Sequence, residues 1–149
     1  MPPRDAEVLL GTSHFRVQIG REEIGFSDVS RLTSETDLTE PDHPRNRLET
    51  VVLRRALGRS HELYDWRKRF ADGRDERRSV TISQLDGPGG RVVNAWRLVR
   101  AWPRRWSGPA FDAAGTGLGY EELELAFDDL LWLEPARRRT PRTQRTQGD

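Results

Sequence analysis

The stretch RSVTISQLDGPGGRVVNAWRLVRAWPRRWSGPAF, residues 78–111, decides the fold. RSVTISQLD reads as a strand, GPGG as a turn rich in breakers, and RVVNAWRLVRAW as a second strand, so the two form a hairpin. In the second strand Val92, Trp96, Leu98 and Trp102 are expected on one face, and Val93, Ala95, Val99 and Ala101 on the other. Both faces are apolar apart from Asn94 and Arg100 on the first and Arg97 on the second. Such a strand lies between two layers, or between a core and a neighbouring subunit. Pro103 and Gly108-Pro109 are expected to form the turn that ends it. Trp106 falls outside the alternation, with its role open. Three tryptophans beside so many arginines allow three readings: a stacking platform for nucleic acid, a core with cations at its margin, or a subunit contact.

Upstream, Phe15, Val17 and Ile19 alternate with Arg16 and Gln18, the pattern of a half-buried strand. GREEIG reads as a turn, and residues 26–29 begin a return strand. Residues 31–47, RLTSETDLTEPDHPRNR, are polar, contain Pro41 and Pro44, and read as a loop or an exposed hairpin. A strand resumes at LETVVLRRAL, and one helix follows. Ser60 is its expected N-cap, Leu63, Trp66 and Phe70 form its core stripe, and Asp72-Gly73 ends it. Arg67, Lys68 and Arg69 lie in its final turns, where cations suit the helix dipole; nucleic-acid binding is the alternative for that run. In the last strand, YEELELAFDDL, Leu123, Leu125 and Phe127 face inward, with Glu122, Glu124 and Asp128 on the wet face. The fold class that emerges is mainly β, an antiparallel sheet protein with a single helix.

At 149 residues the chain suits one domain. Three parts are expected: an N-terminal extension over residues 1–14, a β domain over 15–135, and a basic, flexible tail over 136–149. The net charge of +1 is uneven. Arg137, Arg138, Arg139, Arg142 and Arg145 oppose only Asp149, giving the last 13 residues +4 and the preceding 136 residues −3. Such a tail is a solvated extension or a site for an anionic partner. Cysteine is absent, which excludes disulfides and thiolate metal sites. No apolar run approaches a membrane span, and MPPRDAEVLLGTSHF lacks the features of a signal peptide, so synthesis in the cytoplasm without a membrane anchor is expected.

Residues that could carry catalysis do not converge. His14, His43 and His61 fall before a strand, in a polar loop and at a helix start, and the serines lie in no nucleophile elbow. Gly115, Gly117 and Gly119 precede a strand rather than a helix N-terminus, which removes the mechanical reason for phosphate binding. No enzyme activity, cofactor or metal is therefore expected. The remaining readings are an assembling structural subunit and a nucleic-acid-binding module built on the tryptophan and arginine surface.

The order of motifs carries a resemblance. FRVQIG with GFSDVS, then ETVVLRRAL, a helix with LYDWRKRF, the hairpin above and YEELELAFDDL follow one another over residues 15–131. The most specific part is WRLVRAWPRRWSGP, with Trp96, Trp102, Pro103, Trp106, Gly108 and Pro109 as an expected core or assembly motif. In this order the chain resembles the tail tube protein family of contractile-tail phages and related extracellular contractile injection systems. The resemblance implies a β-barrel or sandwich with a flanking helix, assembling as hexameric rings in which subunits lend hairpin strands to a barrel around a channel. Stacked rings would form an inner tube, with sheath and baseplate proteins as partners and DNA or effector cargo in the lumen. A baseplate adaptor or tube initiator of the same fold is the alternative. Family members usually carry a longer, glycine-containing segment before the helix-leading strand, one that reaches adjacent subunits or rings. Here TSETDLTEPDHPRNRLET, residues 33–50, is short, acidic and broken by prolines, which implies an abbreviated contact or a specialised position in the tube.

Overall fold

The computed structural model describes residues 9–38, 45–46 and 48–134. In chain order the elements are β1 (Phe15–Ile19), β2 (Glu22–Ile24), β3 (Asp28–Val29), β4 (Thr36–Asp37), β5 (Arg45–Asn46), β6 (Glu49–Ala56), α1 (Glu62–Ala71), β7 (Arg78–Leu85), β8 (Val92–Ser107), β9 (Tyr120–Phe127) and β10 (Asp129–Leu133). The main sheet runs β2-β1-β7-β8-β9-β6-β3, with β10 also paired to β8, while β4 and β5 form a separate two-stranded hairpin. Every pairing is antiparallel. The sheet is open among the described residues, because β2 and β3 end the path without pairing to each other. The expected GREEIG turn is shorter than its sequence suggests. Gly20, at φ 61°, and Arg21 alone connect Ile19 to its partner Glu22, and Glu22–Ile24 is a strand.

The sheet folds onto itself through β8. Its first part pairs with β7 and β10, and its last part pairs with β9. Inner-facing side chains of the two halves then meet: Val17, Ile19, Val80 and Leu98 from one, Val51, Leu53, Leu123 and Leu125 from the other, all nearly inaccessible to solvent. A strand that switches layers needs a bend, and two bulges supply it. Between Arg78↔Ala101 and Val80↔Leu98, β8 has one residue more than β7; between Pro103↔Leu125 and Arg105↔Glu124, it has one more than β9. Arg100 occupies the first bulge at φ 52°, a left-handed conformation that costs a residue with a side chain about 1–2 kcal/mol. It pairs with Asp128 at 3.2 Å, at the corner between β9 and β10. Because Arg100 is exposed, Arg100→Val should destabilise by about 1–2 kcal/mol, since a β-branched residue tolerates this conformation poorly. Arg100→Asn should cost less, and chemical denaturation measures both.

These bulges correct two expectations. Pro103 does not end the strand; it lies within β8, fully buried opposite Leu125, and the strand continues to Ser107. Trp96 and Trp102 do not share a face. One extra residue inverts the alternation, so Leu98 and then Ala101 face inward while Trp102 faces away. Ala101 for the same reason leaves the face expected for it with Val93, Ala95 and Val99. A further register shift, between Gln84↔Asn94 and Leu85↔Val92, takes the exposed Val92 off the face expected for it with Trp96 and Leu98. The second bulge inverts the order again and returns Trp106 to the inner face, opposite the buried Leu123. The closing stretch is also two strands rather than one: the Asp128 amide donates to Val99 O at 2.9 Å, and the chain then crosses to the first part of β8.

The helix begins at Glu62 with His61 at the cap position rather than the expected Ser60, and no side chain caps it. Its first turn instead carries Glu62 and Asp65 toward the positive end of the dipole, and Asp65 accepts from the His61 ring at 2.7 Å. Leu63 and Trp66 enter the core, while Phe70 is half-buried on Trp102, with ring centroids 5.2 Å apart and 11° between planes. Asp72 closes the helix.

Candidate assembly surfaces

The inner face of β6 reads Val51, Leu53, Arg55, and that of β9 reads Leu125, Leu123, Glu121. The apolar core thus ends in an ion pair where the sheet meets the helix. Arg55 Nε donates to Glu121 Oε2 at 3.3 Å, and its Nη1 reaches Glu62 Oε1 of the helix at 2.9 Å. The other Glu121 oxygen accepts from the Trp106 indole N–H at 3.1 Å. Glu121 is 1% exposed, and its two carboxylate oxygens are satisfied by these two donors rather than by water. This pair escaped the sequence reading, although Glu121 shares the odd positions of Leu123 and Leu125 and its parity places it inside. Trp106 therefore has a structural role: it satisfies Glu121, packs against the core and meets Tyr64 edge-on at 5.2 Å. Gly108 is required beside it, since a Cβ there would lie 2.9 Å from the ring. Pro109 sits close to Gly119, where an added Cβ would meet it at 3.1 Å.

About half of the arginines with described side chains answer to carboxylates within the chain. Arg16 pairs with Glu23 at 3.1 Å, Arg54 with Glu122 at 3.7 Å, Arg69 with Glu76 at 2.9 Å and Arg104 with Glu124 at 3.6 Å. Exposed pairs of this kind contribute about 0–1 kcal/mol each, but they occupy cations that a phosphate backbone would need. In the basic run at the end of the helix Lys68 pairs with Asp72 at 3.3 Å and Arg69 with Glu76, while Arg67 has no carboxylate partner among the described residues. Among the described residues, no group of three His, Cys, Asp or Glu side chains is placed to hold a metal. The five tail arginines, Arg137, Arg138, Arg139, Arg142 and Arg145, lie outside the described residues.

Surfaces suited to another protein are more prominent. Trp96 lines a cavity of about 410 Å³ with Phe15, Val29, Leu32 and Ile82. Trp132 on β10, 67% exposed, lies beside it with ring centroids 5.3 Å apart. A polar relay crosses the same face: Trp132 Nε1 donates to Asn94 at 3.2 Å, Asn94 to Gln84 at 3.0 Å, and Gln84 to Gly11 O at 2.7 Å. The sequence reading missed Trp132, whose spacing from Leu130 was the available signal. The outer edges of β2, β3 and β10 carry backbone groups that no strand of the described residues pairs, and Leu131 on β10 is exposed as well. An edge with large apolar side chains is a template for a strand of another chain. No helix among the described residues is long and apolar enough to cross a membrane.

No curated protein matches the chain in sequence. Among solved structures, the sheath-tube complex of the extracellular contractile injection system PVC contains a chain of the same fold, with TM-score 0.72, 21% identity, and coverage of 87% of this chain and 95% of that one. The tube-terminating cap of the anti-feeding prophage gives 0.73 and 19%, covering 87% and 93%. Hcp1 from Flavobacterium johnsoniae gives 0.57 and 15%, covering 79% and 93%. The model of the T4-like virus tail tube protein gp19 family matches residues 11–131, from the N-terminal side of β1 to β10. With the same mainly β, one-helix architecture and a match across nearly all of its sheet, the chain belongs to that family of structural tail tube proteins.

Proposed function

We propose that this tail tube protein forms hexameric rings that stack into the inner tube of a contractile phage tail or extracellular injection particle. Sheath and baseplate proteins are its partners, and DNA or effector cargo is the content of its channel. The family match over residues 11–131 carries the reading. The unpaired outer edges of β2, β3 and β10 support it physically, because an open sheet can be continued by a neighbouring copy. The subunit would be made in the bacterial cytoplasm before assembly, and the arginine-rich tail would serve as a contact for an anionic partner. The role is structural and non-enzymatic. Likeness to a tube-terminating cap favours a second reading, in which the chain sits at one end of the tube as an initiator or adaptor. Negative-stain imaging and native mass spectrometry, with and without baseplate partners, test the first reading. Six-fold rings or tubes are expected, and a strict monomer at high concentration that forms neither with its baseplate partners would overturn it. Copy number in the assembled particle separates tube body from tube end.

A further inference from the structure

Toward one end of the main sheet the inner face changes character from row to row of paired residues. The innermost row, Ile19, Val80 and Leu98, is wholly apolar and buried. The next runs Val17, Ile82, Trp96 and Trp132, and ends in an exposed indole. The third is Phe15, Gln84 and Asn94, so amides replace hydrocarbon. Here the face borders the cavity of about 410 Å³, whose other walls include Ser27 and Ser30 from the segment around β3. A sheet edge needs no such gradient to accept another strand, since backbone groups alone do that. The gradient belongs to a site with an aromatic floor and a polar rim.

The polar relay prepares that floor. Water is available to the exposed Trp132 indole, yet its N–H is held by Asn94, and Gln84 continues the relay to Gly11 O. An exposed ring fixed in its plane loses less freedom when a ligand stacks on it. The relay also consumes only half of each amide: among the described residues, Asn94 and Gln84 each keep one N–H and one carbonyl lone pair. Ser30 accepts from the Val52 amide, which leaves its O–H to donate. Charge then narrows the ligand. Asp28 is the one ionisable residue of the lining, and Arg54 pairs with it at 3.5 Å. A phosphate or carboxylate finds no free cation there, and an acyl chain would strand the amides and hydroxyls. A neutral ring with an apolar face and hydroxyls that both donate and accept satisfies floor and rim together.

We propose that this end of the sheet binds a neutral carbohydrate, with the C–H face of a pyranose ring stacked on Trp132 and Trp96 and its hydroxyls on Asn94, Gln84 and Ser30. The site stands or falls independently of the tube reading. Isotopically labelled full-length protein, titrated with methyl β-glucopyranoside, methyl β-galactopyranoside and methyl α-mannopyranoside, reports on it through its indole N–H resonances. At least one of the three should shift the Trp132 signal at millimolar concentration, about what a single uncharged ring reaches. Trp132→Ala, followed on Trp96, should weaken binding about tenfold and leave the denaturation midpoint unchanged, because the ring is exposed. Asn94→Leu, which breaks the relay but keeps both indoles, should weaken it as well. No shift with any of the three sugars, or undiminished binding by Trp132→Ala, overturns the proposal. Tighter binding of glucuronate than of the neutral glycosides overturns it too, as do Trp132 shifts with protein concentration alone that no sugar reverses, which would give the cavity to a second copy. Equal binding of a free sugar and its methyl glycoside identifies a glycan chain as the source of the ring, and loss on methylation identifies a free sugar; either result supports the site.

Discussion

Glu121→Ala should be the most damaging single substitution of a charged residue in this protein, costing about 3–5 kcal/mol of stability. Removing the carboxylate does not simply delete a hydrogen bond. It leaves the Arg55 guanidinium, whose side chain is 14% exposed, with Glu62 as its remaining anion, and it strips the acceptor from the Trp106 indole. Arg55 has no slack to absorb that loss, because its Nη2 is already buried without a partner. Urea denaturation followed by tryptophan fluorescence measures the cost, and a loss below about 1 kcal/mol would mean that the pair is hydrated in solution. The double substitution Arg55→Met with Glu121→Leu makes the argument sharper. It removes both charges and keeps apolar volume, so it should recover most of the loss even though Trp106 stays without an acceptor. A double variant as unstable as Glu121→Ala would show that geometry, rather than the unpaired charge, sets the penalty.

The sheet and the helix were legible because burial imposes a period on the residues that face the core. Val17 with Ile19, Leu123 with Leu125, and Leu63 with Trp66 all signal their inner faces by spacing alone. What alternation cannot reveal is a residue that belongs to neither face. The bulges at Arg100 and beside Pro103 each add one position, and nothing about an arginine marks it as a left-handed residue, where glycine or asparagine would have given a cue. With the further shift beside Val92, the strand inverts three times without a sequence cue, and a simple count along β8 misplaces Val92 and Trp102. Proline misled for a related reason. It usually marks an interruption, yet at Pro103 the missing amide is tolerated at an irregular step in the β8–β9 ladder. Charge hid the buried ion pair as well. Glutamates in an alternating strand read as its wet face, so Glu121 was overlooked beside Glu122 and Glu124, although its odd position placed it inside.

Trp66→Ala should cost about 3–5 kcal/mol, because it empties the point at which the helix closes the core. The indole is 2% exposed, and its N–H donates to Glu76 O at 2.8 Å, tying the helix to the segment that leads into β7. Arg78 lies over the ring at 5.2 Å, and Arg78 and Arg69 both reach Glu76, at 3.4 and 2.9 Å. One side chain thus joins the helix, the connection and the start of β7. A cavity there also loosens the cover over Ile19 and Ile24, which share a recess with Leu63 and Trp66. The measurable consequence is twofold: a lower denaturation midpoint, and faster amide exchange in α1 than in β6 and β9, whose pairing does not depend on the helix. Trp66→Phe separates the two contributions. It keeps most of the ring volume but leaves Glu76 O without its donor, so it should cost about 1–3 kcal/mol. Equal losses for phenylalanine and alanine would place the energy in the hydrogen bond, whereas a phenylalanine variant close to wild type would place it in packing.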